Sequence, residues 1–238
     1  MDTTDFIQAL HRDGAAFADT CEAAGLDALV PTCPGWKVAD LVWHLGEVHY
    51  FWRLIVGEQR DTWEGYAEPT RPADEALLAW YRGELQQVAA VLSGVDPAQS
   101  NWTWSSDHTA GFVIRRMVHE TAVHLVDAQL AAGMPGRVEA ALASDGIDEF
   151  LTHFLNTQQG TVSGSVHIHC TDVAGEWTLR PSADGFEVTR EHAKGDCAIR
   201  GAASDILLAL WRRAALSACD VVGDAAVADQ FVAASRLE

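Results

Sequence analysis

The hydrophobic period of this chain changes once, and that change leaves few architectures open. As far as about Pro135, apolar side chains recur every third or fourth position; beyond Val162 they alternate. A helical period buries one stripe of a cylinder, and an alternating period buries one face of a pleated sheet. A chain that carries the two in succession folds as helices followed by a small α+β part, not as alternating βαβ units.

The first part predicts four helices. One runs from Thr4 to Ala24, with Phe6, Leu10, Phe17 and Cys21 among its apolar positions and Gly25 as its stop. The turn-rich connector Val30-Pro31-Thr32-Cys33-Pro34-Gly35-Trp36 follows. The second helix is expected from Val38 to Val56, closed by Gly57. The third opens near Pro72, a residue suited to a first helical turn, and runs to Leu92. The fourth runs from Ala110 to Ala132 and is ended by Gly133 and Pro135. Segments 58–71 and 94–109 read as loops. A fifth helix is expected over 138–156, with Ile147, Phe150, Leu151 and Phe154 on one face. Four strands are then expected, at Val162 to Cys170, Glu176 to Arg180, Gly185 to Arg190 and Asp196 to Arg200, separated by Gly and Asp turns. In the first of them Val166, Ile168 and Cys170 face one way and His167 and His169 the other. Helices from Ser204 to Ala218 and from Asp224 to Ser235 complete the pattern. The expected fold class is a two-domain α+β protein, divided into 1–157 and 158–238.

Charge excludes some functions. A formal net charge of −18 argues against nonspecific binding to nucleic acid or an anionic membrane. No apolar run reaches the roughly 18 residues a membrane helix needs. The opening Met1-Asp2-Thr3-Thr4-Asp5 is too acidic and polar for a signal peptide. The five cysteines are odd in number and lack metal-type spacing, so they read as reduced thiols in a cytoplasmic protein. Cys33 reads as a small turn residue, with only Lys37 near enough to favour a thiolate. The helical part suits a monomer or small homo-oligomer.

Three residues disturb the apolar stripes. At about 100° per residue, the inward stripe of the second helix holds Leu41, Leu45, Val48, Trp52 and Ile55, and His44 falls within it. On the fourth helix the stripe holds Val113, Met117, Thr121, Ala128 and Ala131, and Glu120 and His124 fall within it, four apart and so neighbours on one face. His119, Arg116 and Val123 fall outside. A lone inward histidine reads as a hydrogen-bonded core residue, and Glu120 with His124 reads equally as a buried ion pair. All three together favour a metal, because buried groups of this kind are costly unless paired or coordinated. Two nitrogens and one carboxylate form the ligand set of a catalytic zinc site with an open position, although nickel, cobalt or iron would accept it. His49 reads as a surface or neighbouring residue, His192 as a turn residue, and Arg53, Arg82 and Arg116 as solvent-facing. Trp36, Trp43, Trp52 and Trp63 read as core or surface groups before pocket lining.

The segment Cys33-Pro34-Gly35-Trp36-Lys37-Val38-Ala39-Asp40-Leu41-Val42-Trp43-His44-Leu45-Gly46 closely resembles a signature of the mycothiol-dependent maleylpyruvate isomerase family. So does His119-Glu120-Thr121-Ala122-Val123-His124-Leu125-Val126-Asp127-Ala128. In the second half the resemblance continues through Val166-His167-Ile168-His169-Cys170-Thr171-Asp172, Gly175-Glu176-Trp177 and Gly201-Ala202-Ala203-Ser204-Asp205-Ile206-Leu207-Leu208. It implies a DinB-like, up-down, metal-binding four-helix bundle with a small sterol-carrier-like α+β domain behind it. It implies zinc on His44, Glu120 and His124, mycothiol as thiol cosubstrate, and a site arginine within Leu210-Trp211-Arg212-Arg213, for which Arg213 is preferred to Arg212. The implied reaction is cis–trans isomerisation, in which a thiolate adds to an activated double bond, the bond rotates, and elimination gives the trans product. Mycothiol S-transfer to an electrophile shares the first step. A non-catalytic metal- or ligand-binding protein is the third reading, against which a structural zinc normally takes four protein ligands.

Overall fold

The four helices of the first part form within two residues of their expected ends, because each is stopped by local chemistry. In the computed structural model, which describes residues 1–155, 162–182 and 185–234, helix α1 (Thr3–Ala24) begins at a reciprocal cap. The Asp2 carboxylate accepts from the Asp5 amide, and Asp5 accepts from the Asp2 amide. It ends at Gly25, whose φ of 82° strains any residue with a Cβ. In α2 (Val38–Gly57) the Lys37 amide donates to the Asp40 carboxylate at 3.0 Å. Helix α3 (Asp74–Gly94) starts beyond Pro72, with Asp74 and Glu75 in the first turn, where negative charge suits the helix dipole. Helix α4 (Ala110–Ala131) is capped by the Thr109 hydroxyl, which accepts from the Phe112 amide.

These helices make a four-helix bundle within the first of two compact units, Met1–Gly136 and Arg137–Glu238. Helix α1 packs on α3 and α4, and α2 packs on α3 and α4, while α1 and α2 meet little. The seam holds Leu10, Phe17, Leu41, Leu45, Ile55, Leu77, Tyr81, Leu92, Ile114 and Met117, all fully buried. Burying a side chain of this size contributes about 1.5–3 kcal/mol. Gly46 lets α3 lie close to α2: a Cβ there would stand 2.3 Å from the Trp80 ring, which is itself stacked on Trp43 at 4.9 Å. Trp43 is thus half-buried on α3, and Trp52 is buried; Trp63 is exposed.

Helix α4 departs from the stripe reading. Arg116, His119 and Val123 are buried although they lie off the expected inward face. The reason is that α4 has no free polar side within the bundle. It meets α1 through the Phe6–His119 ring contact and α2 through a hydrogen bond between His49 and Thr121. An amphipathic stripe describes a helix covered from one side only. Arg53 is likewise not a solvent group; it pairs with buried Glu84 at 3.1 Å and lies over the Tyr50 ring. Arg82 is half-buried between Asp19 and Glu22, with 38% of its side chain exposed.

The second unit is a five-stranded sheet with helices, so the chain as a whole is α+β. It contains α5 (Ala140–His153), β1 (Val166–Cys170), β2 (Glu176–Ser182), β3 (Gly185–Thr189), β4 (Cys197–Gly201), α6 (Ala203–Leu210), a short 3-10 turn (Leu216–Ala218), β5 (Asp220–Gly223) and α7 (Ala225–Ala234). The strand order is β3-β2-β1-β4-β5, with β1 and β4 parallel and the other pairs antiparallel. Strand β1 starts at Val166, not Val162, because the Ser163 and Ser165 amides are taken by the side chains of Gln230 and Asp196. Helix α6 stops at Leu210, far short of Ala218: Arg212 turns the chain at a left-handed φ of 58°. Strand β5 has no alternating pattern of its own and exists by pairing along β4. Ser235, residue 156 and the expected boundary between 157 and 158 lie outside the described residues; α5 packs on α6 and so belongs with the second unit.

All five cysteines are free thiols. Burial pushes Cys21 and Cys170 up to about 12, and Cys197 and Cys219 up to about 11, so these four stay protonated and inert at neutral pH. No helix among the described residues is long and apolar enough to cross a membrane.

Candidate metal centre

His44 from α2 and Glu120 and His124 from α4 converge. His44 Nε2 lies 3.4 Å from Glu120 Oε1, and His124 Nε2 lies 3.2 Å from the same oxygen. The two imidazoles stand edge to face, 5.0 Å apart, and the three donor atoms all fall within 4.8 Å of one another. Two tetrahedral ligands, each about 2.0–2.1 Å from a zinc ion, are separated by roughly 3.3–3.4 Å. Both nitrogen-to-oxygen spacings therefore match those between ligands of a divalent cation. As ligands these three would leave a fourth position, and the His44 side is the more open one, with 34% of its side chain exposed against 9% for His124.

A second layer of side chains holds these three in place. His124 Nδ1 lies 2.8 Å from Asp127 Oδ2, and Asp127 is wholly buried. The Thr32 hydroxyl donates to the other Asp127 oxygen, and the Cys33 thiol lies 3.7 Å from Oδ2. The connector between α1 and α2 thus folds onto α4 through a tight turn, in which the Cys33 amide donates to the Val30 carbonyl and the Trp36 amide to the Cys33 carbonyl. That turn also sets the Trp36 ring edge-on against His44 at 5.1 Å. A carboxylate behind a ligating imidazole fixes its ring orientation and raises its basicity.

The electrostatics are those of a compact charged cluster. Burial alone would raise the Glu120 carboxyl, yet Arg116, whose Nη2 is 2.7 Å from Oε2, acts with His124 and His44 to hold it well below the usual carboxylate range. Burial would likewise lower His124, but Asp127 and Glu120 outweigh it and bring the imidazole up to about 9. Without a cation the ring keeps a proton; a cation takes over that positive role. His49, one turn along α2, is fully buried and brought down to about 3 by desolvation. Its Nε2 meets the Thr121 hydroxyl at 3.0 Å, so it is a neutral core group and not the surface histidine its position suggests.

Comparison with known proteins gives the family. A family model described as the mycothiol maleylpyruvate isomerase N-terminal domain matches residues 7–129. The chain belongs to the mycothiol maleylpyruvate isomerase family. The companion MDMPI C-terminal domain matches residues 141–230, so both parts of this family member are accounted for. No curated protein matches the sequence. Two solved structures share the fold, a mycothiol-dependent maleylpyruvate isomerase and a histidine-to-alanine mutant of it. Each has a TM-score of 0.61 and covers 87% of this chain and 88% of its own, at 10% and 11% identity.

Of the expected site residues in this isomerase-family chain, the structure brings His44, Glu120 and His124 together. Arg213 belongs to the other unit, where it is half-buried after α6 and donates from Nη1 to the Trp211 carbonyl at 2.9 Å. Arg212 reaches the Val232 and Ala233 carbonyls near the end of α7. Sequence reasoning passed over Asp127 and misplaced Arg116. Asp127 had a legible signal, three residues after His124 on the same helix; Arg116, four before Glu120, was hidden by the assumption of a solvated face. For a divalent cation held by His44, Glu120 and His124, replacing Asp127 by asparagine should weaken binding by about 10–100-fold, to be measured by competition against a chelator. Unchanged affinity would show that the His124 ring needs no such support.

Proposed function

We propose that this chain is a divalent-metal- and thiol-dependent enzyme that isomerises a cis double bond by reversible thiol addition, with maleylpyruvate as the reference substrate and mycothiol as the thiol. The observation that carries the reading is the convergence of His44, Glu120 and His124, with both histidine nitrogens 3.2–3.4 Å from one Glu120 oxygen, a set that would leave one position of a tetrahedral cation open. Zinc is the assigned ion, since a mixed imidazole and carboxylate set without a fourth protein ligand matches its catalytic sites. When bound, such a cation acts as a Lewis acid that favours the thiolate form of a low-molecular-weight thiol.

The side chains divide the remaining work. Glu120 supplies the negative charge of the ligand set, and Arg116 offsets part of it from the buried side. Asp127 and Thr32 hold His124 in one orientation. Arg213 is assigned to the substrate carboxylate on the family resemblance alone, a guanidinium fork being a match for a carboxylate.

The test is to load the protein with cobalt, add mycothiol, and follow both the visible spectrum and turnover. A thiolate-to-metal charge-transfer band, with the trans product formed and the thiol returned unchanged, is the expected result. Consumption of one thiol per product would reassign the chain to S-transfer. Absence of any spectral response to the thiol would remove the thiol from the mechanism.

A further inference from the structure

In the second unit, alternate residues of β1 and β2 share a face. The register pairs His169 with Glu176 and His167 with Thr178, which puts these four on the side opposite Val166, Ile168, Trp177 and Leu179. His192 reaches the same face from the connection between β3 and β4, and its neighbours hold it there. Arg190 donates to Asp148 at 2.6 and 3.1 Å, and the Thr178 hydroxyl donates to the Glu191 carbonyl at 3.0 Å.

Three imidazoles therefore surround one carboxylate oxygen. His167 Nε2, His169 Nδ1 and His192 Nδ1 lie 2.8, 3.0 and 2.5 Å from Glu176 Oε1. A carboxylate oxygen offers two lone pairs, so it cannot satisfy three ring N–H donors well. A neutral imidazole, by contrast, is a metal ligand. The donor atoms of His167, Glu176 and His192 fall within 4.8 Å of one another. The cluster is partly sheltered, with 9% of the His167 side chain and 27% of the Glu176 side chain exposed.

We propose that His167, Glu176 and His192 form a second divalent-cation site, built entirely from the second unit, which clips the β3–β4 connection to the β1–β2 face. Two imidazole nitrogens and one carboxylate oxygen are donors that zinc, copper or nickel accepts, and His169, 3.0 Å from the same carboxylate oxygen, braces Glu176. A cation would part the nitrogens from the carboxylate oxygen to roughly 3.3 Å. That is a few tenths of an ångström for His167 and more for His192, whose side chain is 77% exposed and has room to move. The contrast with His44, Glu120 and His124 lies in the elements that carry the ligands. His192 stands on the β3–β4 connection, so a cation held here would order that connection against the sheet.

Zinc stoichiometry separates the two sites. The full chain is stripped with a chelator, supplied with zinc chloride, passed through a desalting column and assayed by mass spectrometry. Wild type should retain about two equivalents, His44→Ala about one, and His167→Ala/His192→Ala about one. In the His44→Ala background, zinc should also slow hydrogen exchange across segment 190–196, and His192→Ala, a change at an exposed position, should abolish that protection. The proposal is overturned if His167→Ala/His192→Ala retains as much zinc as wild type, or if zinc leaves exchange across 190–196 unchanged in folded His44→Ala. Failure of the first centre looks different: His44→Ala would then hold as much zinc as wild type while the double variant lost an equivalent.

Discussion

Replacing Glu120 by glutamine should weaken zinc binding at the bundle centre by at least about 100-fold and abolish thiol-dependent turnover with it. The estimate takes the upper end of what losing a supporting residue costs as the floor for losing a ligand. Glutamine is the informative choice because it keeps the shape of the side chain and leaves Arg116 an amide oxygen to donate to. What it removes is the only negative charge among the three ligands. Alanine would add a second defect, loss of the ion pair to a guanidinium that is 4% exposed. Zinc titration against a competing chelator, in a His192→Ala background so that the sheet cluster does not contribute, reads the effect directly. Retention of wild-type affinity by Glu120→Gln would remove this carboxylate from the ligand set and leave two histidines, too few to hold the ion.

The second large effect concerns stability. Arg116→Met should destabilise the metal-free protein by about 3–5 kcal/mol, because Glu120 loses its nearest positive charge while remaining largely buried. For a unit of this size that is a fall in Tm of roughly 10 °C or more. Zinc should recover most of the loss, since a bound cation supplies the charge that the guanidinium supplied. Paired thermal melts with and without zinc test this. An equal fall in both would mean that Arg116 matters through packing alone, with no electrostatic link to the centre.

Parts of this protein are plain in its sequence for physical reasons. Periodicity reports the angle of a residue around its own element, so the stripes of α2 and α4 place His44, Glu120 and His124 inward without knowledge of the fold. The i, i+4 spacing makes Glu120 and His124 neighbours on any helix, and alternation puts His167 and His169 on one face of any strand. The helix ends were legible where a glycine acts locally, as at Gly25, whereas the caps at Asp2 and Thr109 emerged with the structure.

What the sequence hid depends on which neighbour covers which face. Arg53 and Arg116 look solvated until Glu84 and Glu120 are seen beside them. The length of α6 was overestimated because Arg212 bears no local mark of a left-handed turn; its contacts with the carbonyls of α7 exist only in the folded unit.

The sequence by itself determined two things: helices followed by a small sheet, and the inward direction of His44, Glu120 and His124. Both follow from the period of the apolar positions and the spacing of a few polar ones. Only the tertiary structure decided that Thr32 supports Asp127 from 95 residues away and that His192 joins Glu176 across 16. Such pairings depend on how the chain closes on itself, which no local period records.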